Sequence, residues 1–178
     1  PLQVRWRNIR ILDLGPRAGT TRDVLGPPRE TMGAAPTRQA DILAGEGHDL
    51  SGWRAAGNGD KIVPWTYADG VLTVSPDTGS IVTREHFRDF RMHLEFTVNS
   101  TPGPHNQNDG NSGVYLQRRY EIQILDSYGE PRGDRECAAL YETRPPDRNA
   151  SRPAGEWQSY DIVFRSPRWN ENGEKTAD

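Results

Sequence analysis

The stretch NSGVYLQRRYEIQILDS, residues 111–127, decides how this chain reads. Two runs, 113–117 and 120–125, are rich in β-branched and aromatic residues and are separated by Arg118 and Arg119, which predicts two strands. Side chains alternate across a strand, so Val114 and Leu116 share one face and Ile122 and Ile124 continue it. The other face carries Tyr115, Gln117, Glu121 and Gln123. That is more hydrogen-bonding chemistry than a wetted sheet requires, and it suits a sugar. The plain alternative is a solvated sheet face.

The strands outward from this motif repeat the pattern. Residues 91–98, RMHLEFTV, put Met92, Leu94, Phe96 and Val98 on a core face and Arg91, His93, Glu95 and Thr97 on a polar one. Residues 65–74 read as a hairpin turning at Asp69–Gly70, 80–83 as a short strand, and 157–165 as another strand. Residues 4–14 alternate as a strand but change sides near Asn8, which predicts a bulge or a twist. Residues 15–40 are rich in Gly, Pro, Thr and Arg without periodicity and read as a linker or a wandering surface segment. Residues 127–152 are irregular, and 168–178 read as a solvated loop or an unfinished connection.

Composition narrows the classes. With 18 Gly and 14 Pro in 178 residues, and a mean hydropathy of −0.85, turns are frequent and long helices few, which favours a β-rich domain. A net charge of −3 gives no electrostatic reason for nucleic acid or an anionic membrane as partner. No apolar run approaches the roughly eighteen residues of a membrane span. The start of the chain lacks a signal-peptide apolar core, and Pro1 leaves room for a removed leader. One cysteine, Cys137, excludes an internal disulfide and a cysteine zinc site, and no Cys-His signature surrounds it.

Asp49-Leu-Ser-Gly-Trp53, Trp65 followed by Asp69-Gly70-Val-Leu, Thr83 with Phe87 and Phe90, Asn111-Ser-Gly-Val-Tyr, Tyr120-Glu-Ile-Gln-Ile-Leu-Asp-Ser127 and Gly155-Glu-Trp157 occur in order. Over about residues 42–164 the chain thereby resembles the 3-keto-disaccharide hydrolase family. The resemblance implies an all-β fold, a concanavalin A-like antiparallel β-sandwich or jelly roll. It also implies a bacterial, periplasmic or secreted protein acting on carbohydrate. The ends depart from the family pattern: a family-like last strand, Val4-Arg-Trp-Arg-Asn-Ile-Arg-Ile11, stands first, and the strands expected after Phe164 are missing. The expectation is residues 1–14 as the terminal strand of a preceding copy or a permuted strand, 15–40 as linker, and 41–178 as a sandwich truncated at its C-terminus. A piece cut from a tandem protein is preferred, because permutation does not explain the missing hairpin.

The family's association with sugars bearing a ketone at carbon 3 implies a chemistry. The ketone acidifies the hydrogen on carbon 2, a base removes it, the oxygen at carbon 1 leaves, and water adds back. Glu121 is the candidate base, with His93 and Glu95 as acid and orienter. Tyr115, Gln117, Gln123, Asn111 and Asp126 are candidate hydroxyl ligands, and Trp157, Trp53 or Trp65 candidate stacking platforms. Glu121 pairing with Arg118 or Arg119, His93 pairing with Glu95, and tryptophans in the core are the structural alternatives. A conventional glycosidase would use Glu95 with Glu121, and a binding module would use the same face without turnover. A divalent metal polarising the ketone, held by carboxylates and His93, is a further option, with no ligand spacing to mark it.

Overall fold

The computed structural model describes residues 3–14, 31–57, 59, 61–99, 103–108 and 110–177. These form β1 (Val4–Asp13), β2 (Asp41–Ala44), β3 (Trp53–Ala55), β4 (Thr66–Ala68), β5 (Val71–Thr73), β6 (Ile81–Thr83), β7 (Phe90–Val98), β8 (Ser112–Leu116), β9 (Tyr120–Ile124), β10 (Gln158–Phe164), β11 (Arg168–Trp169) and β12 (Lys175–Ala177). No helix occurs among the described residues. All pairings are antiparallel. A six-stranded sheet runs β10-β7-β1-β5-β4 with β2 also on β1, and the hairpin β8–β9 forms the layer facing it. Backbone bridges from Ile122 to Leu140 and from Leu140 to Arg144 extend that second layer beyond β9.

The core lies between the layers, on the side chains that alternation selects. Leu94, Phe96, Val98, Leu72 and Ile124 are fully buried, each contributing roughly 1.5–3 kcal/mol. Phe96 meets Tyr160 edge-on at 4.7 Å, and Tyr120 of β9 reaches Phe164 of β10 at 6.3 Å, so rings join the two sheets.

Strand β1 sits inside the large sheet, between β7 on one side and β5 and β2 on the other. The expected bulge is present: Asn8 has φ of 50° and the register with β7 shifts between Arg7 and Arg10. Because of that shift Val4, Trp6, Ile9 and Ile11 are all buried, and Arg5, Arg7 and Arg10 fall on the outward face. The hairpin at Asp69–Gly70 also forms, with φ of 51° and 74°, the pair of positive angles a tight turn needs.

The surface segment that follows β1 and the C-terminal segment both take definite paths. Residues 15–30 lie outside the described residues, but from Thr31 the chain lies on the outer face of the large sheet. The Gly33 N–H donates to Glu95 at 2.6 Å, Arg10 donates to the Ala34 carbonyl at 2.6 Å, and Thr31 donates to Asp161. The polar face of β7 is therefore buried, with His93 4% and Glu95 0% exposed. Residues 168–177 form the hairpin β11–β12 and not a loop, because Asn170 Oδ1 accepts the N–H groups of Asn172 and Glu174 and Gly173 supplies φ of 76°.

Candidate functional site

The outer face of the β8–β9 hairpin brings together the most exposed polar chemistry that the central motif predicts. Tyr115 and Glu121 are directly paired across the strands, and the Tyr115 hydroxyl donates to Glu121 Oε2 at 2.6 Å. Tyr115 is 57% exposed. The hydrogen bond to Glu121, partial burial and the carboxylate charge push the Tyr115 phenol up to about 12, with Tyr141 acting in the same direction. Glu121 lies over Gly113: a Cβ there would stand 2.1 Å from Glu121 Oε1, so a glycine is what lets the carboxylate settle on this surface. Tyr141 joins from the segment beside β9, its N–H donating to the Glu121 carbonyl at 3.0 Å.

Gln123 and Asn111 border the same face in different states. Gln123 is 1% exposed, beneath a segment whose Ala138 and Ala139 exchange backbone hydrogen bonds with it, so it shapes the floor and does not meet solvent. Asn111, just before β8, is exposed and donates to the Gln107 carbonyl at 2.6 Å. Asp126 is half-buried, two residues past the end of β9.

The other expected residues lie elsewhere. Gln117 is not on the strand: with φ of 52° beside Arg118 at 56°, it forms the turn, and its amide donates to Ser166 Oγ. His93 and Glu95 alternate with core-facing Met92, Leu94 and Phe96 on β7, so they project from the outer face of the large sheet. Glu121 projects from the outer face of the opposite layer, with the core between. Sheets pack about 10 Å apart before side chains are added. Glu95 and Glu121 point away from each other, so they cannot flank one glycosidic bond at the roughly 5–9.5 Å a two-carboxylate glycosidase uses.

On that far face the groups pair with one another. Arg7 Nε donates to Glu95 Oε2 at 2.7 Å, while His93 Nε2 faces Glu95 Oε1 at 3.6 Å and Nδ1 faces Asp161 Oδ2 at 3.3 Å. Burial raises the Asp161 carboxyl, but His93, Thr31 and Arg91 outweigh it and hold the group at about 2. Glu95 is likewise held below its ordinary value, burial being overcome by the Gly33 N–H, Arg7 and Asn8. Trp157 stacks on the Arg7 guanidinium, 4.0 Å from its ring centroid. Trp53 and Trp65 donate to the carbonyls of Leu43 and Gly79. All three tryptophans are engaged in the fold.

These residues do not fit a divalent metal. The oxygens of Glu95 and Asp161 already serve Arg7, Arg91, Thr31 and the Gly33 N–H, whose positive charge and donors disfavour a cation there. Among the described residues no group of three or more His, Cys, Asp or Glu is arranged to hold a metal ion.

Two features escaped the sequence reading. Tyr141 comes from an aperiodic segment, and only its backbone pairing with β9 brings it to Glu121. His105 and Glu136, 31 residues apart in sequence, stand 3.1 Å apart, and Ser127 donates to Glu136 at 2.7 Å just past the end of β9. No periodic signal joins such loop residues.

A search of curated proteins gave no match. Among solved structures, one from Parabacteroides distasonis ATCC 8503, described as a "putative glycosyl hydrolase", superposes with a TM-score of 0.68 at 36% identity. The match covers 77% of this chain and 57% of that one, so this chain spans little more than half of its relative's length. The antiparallel layers are those of a concanavalin A-like β-sandwich. The profile of the 3-keto-alpha-glucoside-1,2-lyase-like domain matches residues 41–178, and the chain belongs to that family.

Proposed function

We propose that this protein cleaves glycosides whose sugar carries a ketone at carbon 3, with Glu121 as the group that moves the proton. The observation that carries the reading is the Tyr115–Glu121 pair on an accessible face, with the carboxylate seated over Gly113. Family membership and the likeness to a glycosyl hydrolase support a glycoside-cleaving class.

In this scheme Glu121 takes the proton from carbon 2 and the electron pair moves into the ketone as an enolate. The bond from carbon 1 to its oxygen then breaks, and the electron pair returns from the enolate to form the double bond. Because His93 and Glu95 lie across the core, protonated Glu121 hands its proton to the leaving oxygen. Water then adds across the double bond to complete hydrolysis. One carboxyl group thus acts as base and acid in turn. Tyr115, kept protonated by its raised pKa, fixes the orientation of Glu121 through Oε2, and Oε1, seated over Gly113, is the oxygen that takes the proton in this scheme.

The test is to offer the protein a 3-keto-glucoside and the corresponding plain glucoside and to measure released aglycone. The keto substrate should turn over and the plain one should be inert, since its carbon 2 hydrogen is not acidic. Efficient cleavage of the plain glucoside would defeat the elimination route, and binding of the keto sugar without any release would favour a carbohydrate-binding module.

A further inference from the structure

Tyr115, Glu121 and Tyr141 form one row across the outer face of the hairpin layer. On one side Tyr115 is the register partner of Glu121. On the other, Ile122 bridges Leu140 and the Tyr141 N–H donates to the Glu121 carbonyl at 3.0 Å, which sets Tyr141 opposite Glu121. Opposed residues of an antiparallel pair project to the same face. The electrostatic influence of Tyr141 on the Tyr115 phenol agrees with that placement. The carboxylate thus stands between two phenols.

The two phenols differ in what they have left to give. A tyrosine hydroxyl has a single proton to donate, and Tyr115 has committed its own to Glu121 Oε2. Tyr141 is half-buried, and its hydroxyl has no hydrogen-bond partner among the described residues and is not shut off from solvent. Its backbone is well held. Ala138 and Glu142, with φ of 66° and 53°, close the short stretch beside β9 at both ends. The Glu142 N–H donates to the Asp134 carbonyl at 2.8 Å, its carboxylate pairs with Arg135 at 2.8 Å, and the Thr143 hydroxyl donates to the Tyr141 carbonyl at 3.2 Å.

Proton removal by Glu121 leaves one charge unanswered. As the proton departs from carbon 2, negative charge develops on the oxygen at carbon 3, and a fixed donor aimed at such an oxygen is worth about a hundredfold to a thousandfold in rate. Carbons 2 and 3 are neighbours, so base and donor must come from neighbouring positions on one face. We infer that the Tyr141 hydroxyl donates a hydrogen bond to the carbon 3 oxygen of the keto sugar, an inference that rests on the assignment of Glu121 as the proton-moving group. The phenol proton stays on Tyr141 throughout, while the carbon 2 proton passes to Glu121 and then to the leaving oxygen, so no further reactant is needed.

Tyr141→Phe removes the hydroxyl and keeps the ring. Its kcat on a 3-keto-glucoside should fall about a hundredfold with KM nearly unchanged, the mark of a contact that strengthens in the transition state. A second readout is independent of turnover. The carbonyl stretch of a 3-keto-glucoside isotopically labelled at carbon 3 is recorded by infrared difference spectroscopy while the sugar is bound to Glu121→Gln, which holds it unreacted. Adding Tyr141→Phe should raise the frequency, and adding Tyr115→Phe should leave it in place. If the wild-type protein releases no aglycone and the band still answers to Tyr141, the assignment of Glu121 fails and the contact stands. The contact is overturned by a band that ignores Tyr141→Phe, by a band that moves only with Tyr115→Phe, by the absence of any bound carbonyl band, or by a Tyr141→Phe variant in which KM alone changes.

Discussion

At the scale of single residues, Tyr115 and Glu121 test each other. The Tyr115 phenol, pushed to about 12 by its bond to Glu121, should titrate back toward 10 in Glu121→Gln, read from the Tyr115 ring-carbon NMR shift. The same variant keeps shape and hydrogen-bonding reach but cannot take a proton, so turnover of a 3-keto-glucoside should fall about a hundredfold to ten-thousandfold with binding retained. Gly113→Ala addresses position instead of protonation. The new methyl would overlap the carboxylate, so Glu121 must swing off Tyr115, and kcat should drop with little change in melting temperature. Unchanged kcat in Gly113→Ala would mean that the seating of Glu121 is irrelevant. The orientation of Tyr115 and Glu121 was legible because alternation with Val114, Leu116, Ile122 and Ile124 enforces it. The place of Gln117 was not, because two successive positive φ angles at Gln117 and Arg118 end the strand one residue early without a glycine to announce it.

At the scale of elements, β1 and β7 carry the argument. Arg7 of β1 and Glu95 of β7 are cross-strand partners and form a charge pair whose acidic member is fully buried. Arg7→Met removes the cation from that carboxylate and leaves it the Gly33 N–H and Asn8. The fold should lose about 1–2 kcal/mol in a denaturant titration, less than for a fully buried pair because Arg7 is a third exposed. His93→Ala should also lower stability, since His93 is buried between Asp161 and Glu95. Neither should change the turnover of the folded protein or its dependence on the leaving group, because both residues stand on the far face. A selective loss of activity toward poor leaving groups in His93→Ala would return that residue to the active site. The bulge at Asn8 could be read from the shift in hydrophobic alternation. The covering of β7 by Thr31–Ala34 could not, because the Gly33 N–H, the Ala34 carbonyl and the Thr31 hydroxyl of an aperiodic segment make those contacts.

At the scale of the whole molecule, carboxylates engaged with basic groups at two places, Asp161 and Glu95 on the outer face of the large sheet and Asp89 beside Arg165 and Arg168, set the acid limit. The carboxyls of Asp161, Asp89 and Glu95 are all held below their ordinary values in the fold, Asp161 at about 2 against 3.8. A depressed carboxyl contributes stability that is present above its unfolded pKa and is lost as pH falls through its folded one. The melting temperature should therefore hold down to about pH 4 and fall between there and about pH 2, a window marked by Asp161. A melting temperature flat across that window would show that these carboxylates do not stabilise the fold. By itself the sequence determined the longer strands β1, β7, β8, β9 and β10 with their inward residues, the turn at Asp69–Gly70, the change of sides at Asn8 and the family resemblance, because periodicity, turn chemistry and ordered motifs are local properties. Only the tertiary structure decided which polar faces meet. Alternation separates inward from outward along a strand, but the sheet a strand joins is set by pairing across long stretches of chain. That pairing puts His93 and Glu95 on one outer face and Glu121 on the other.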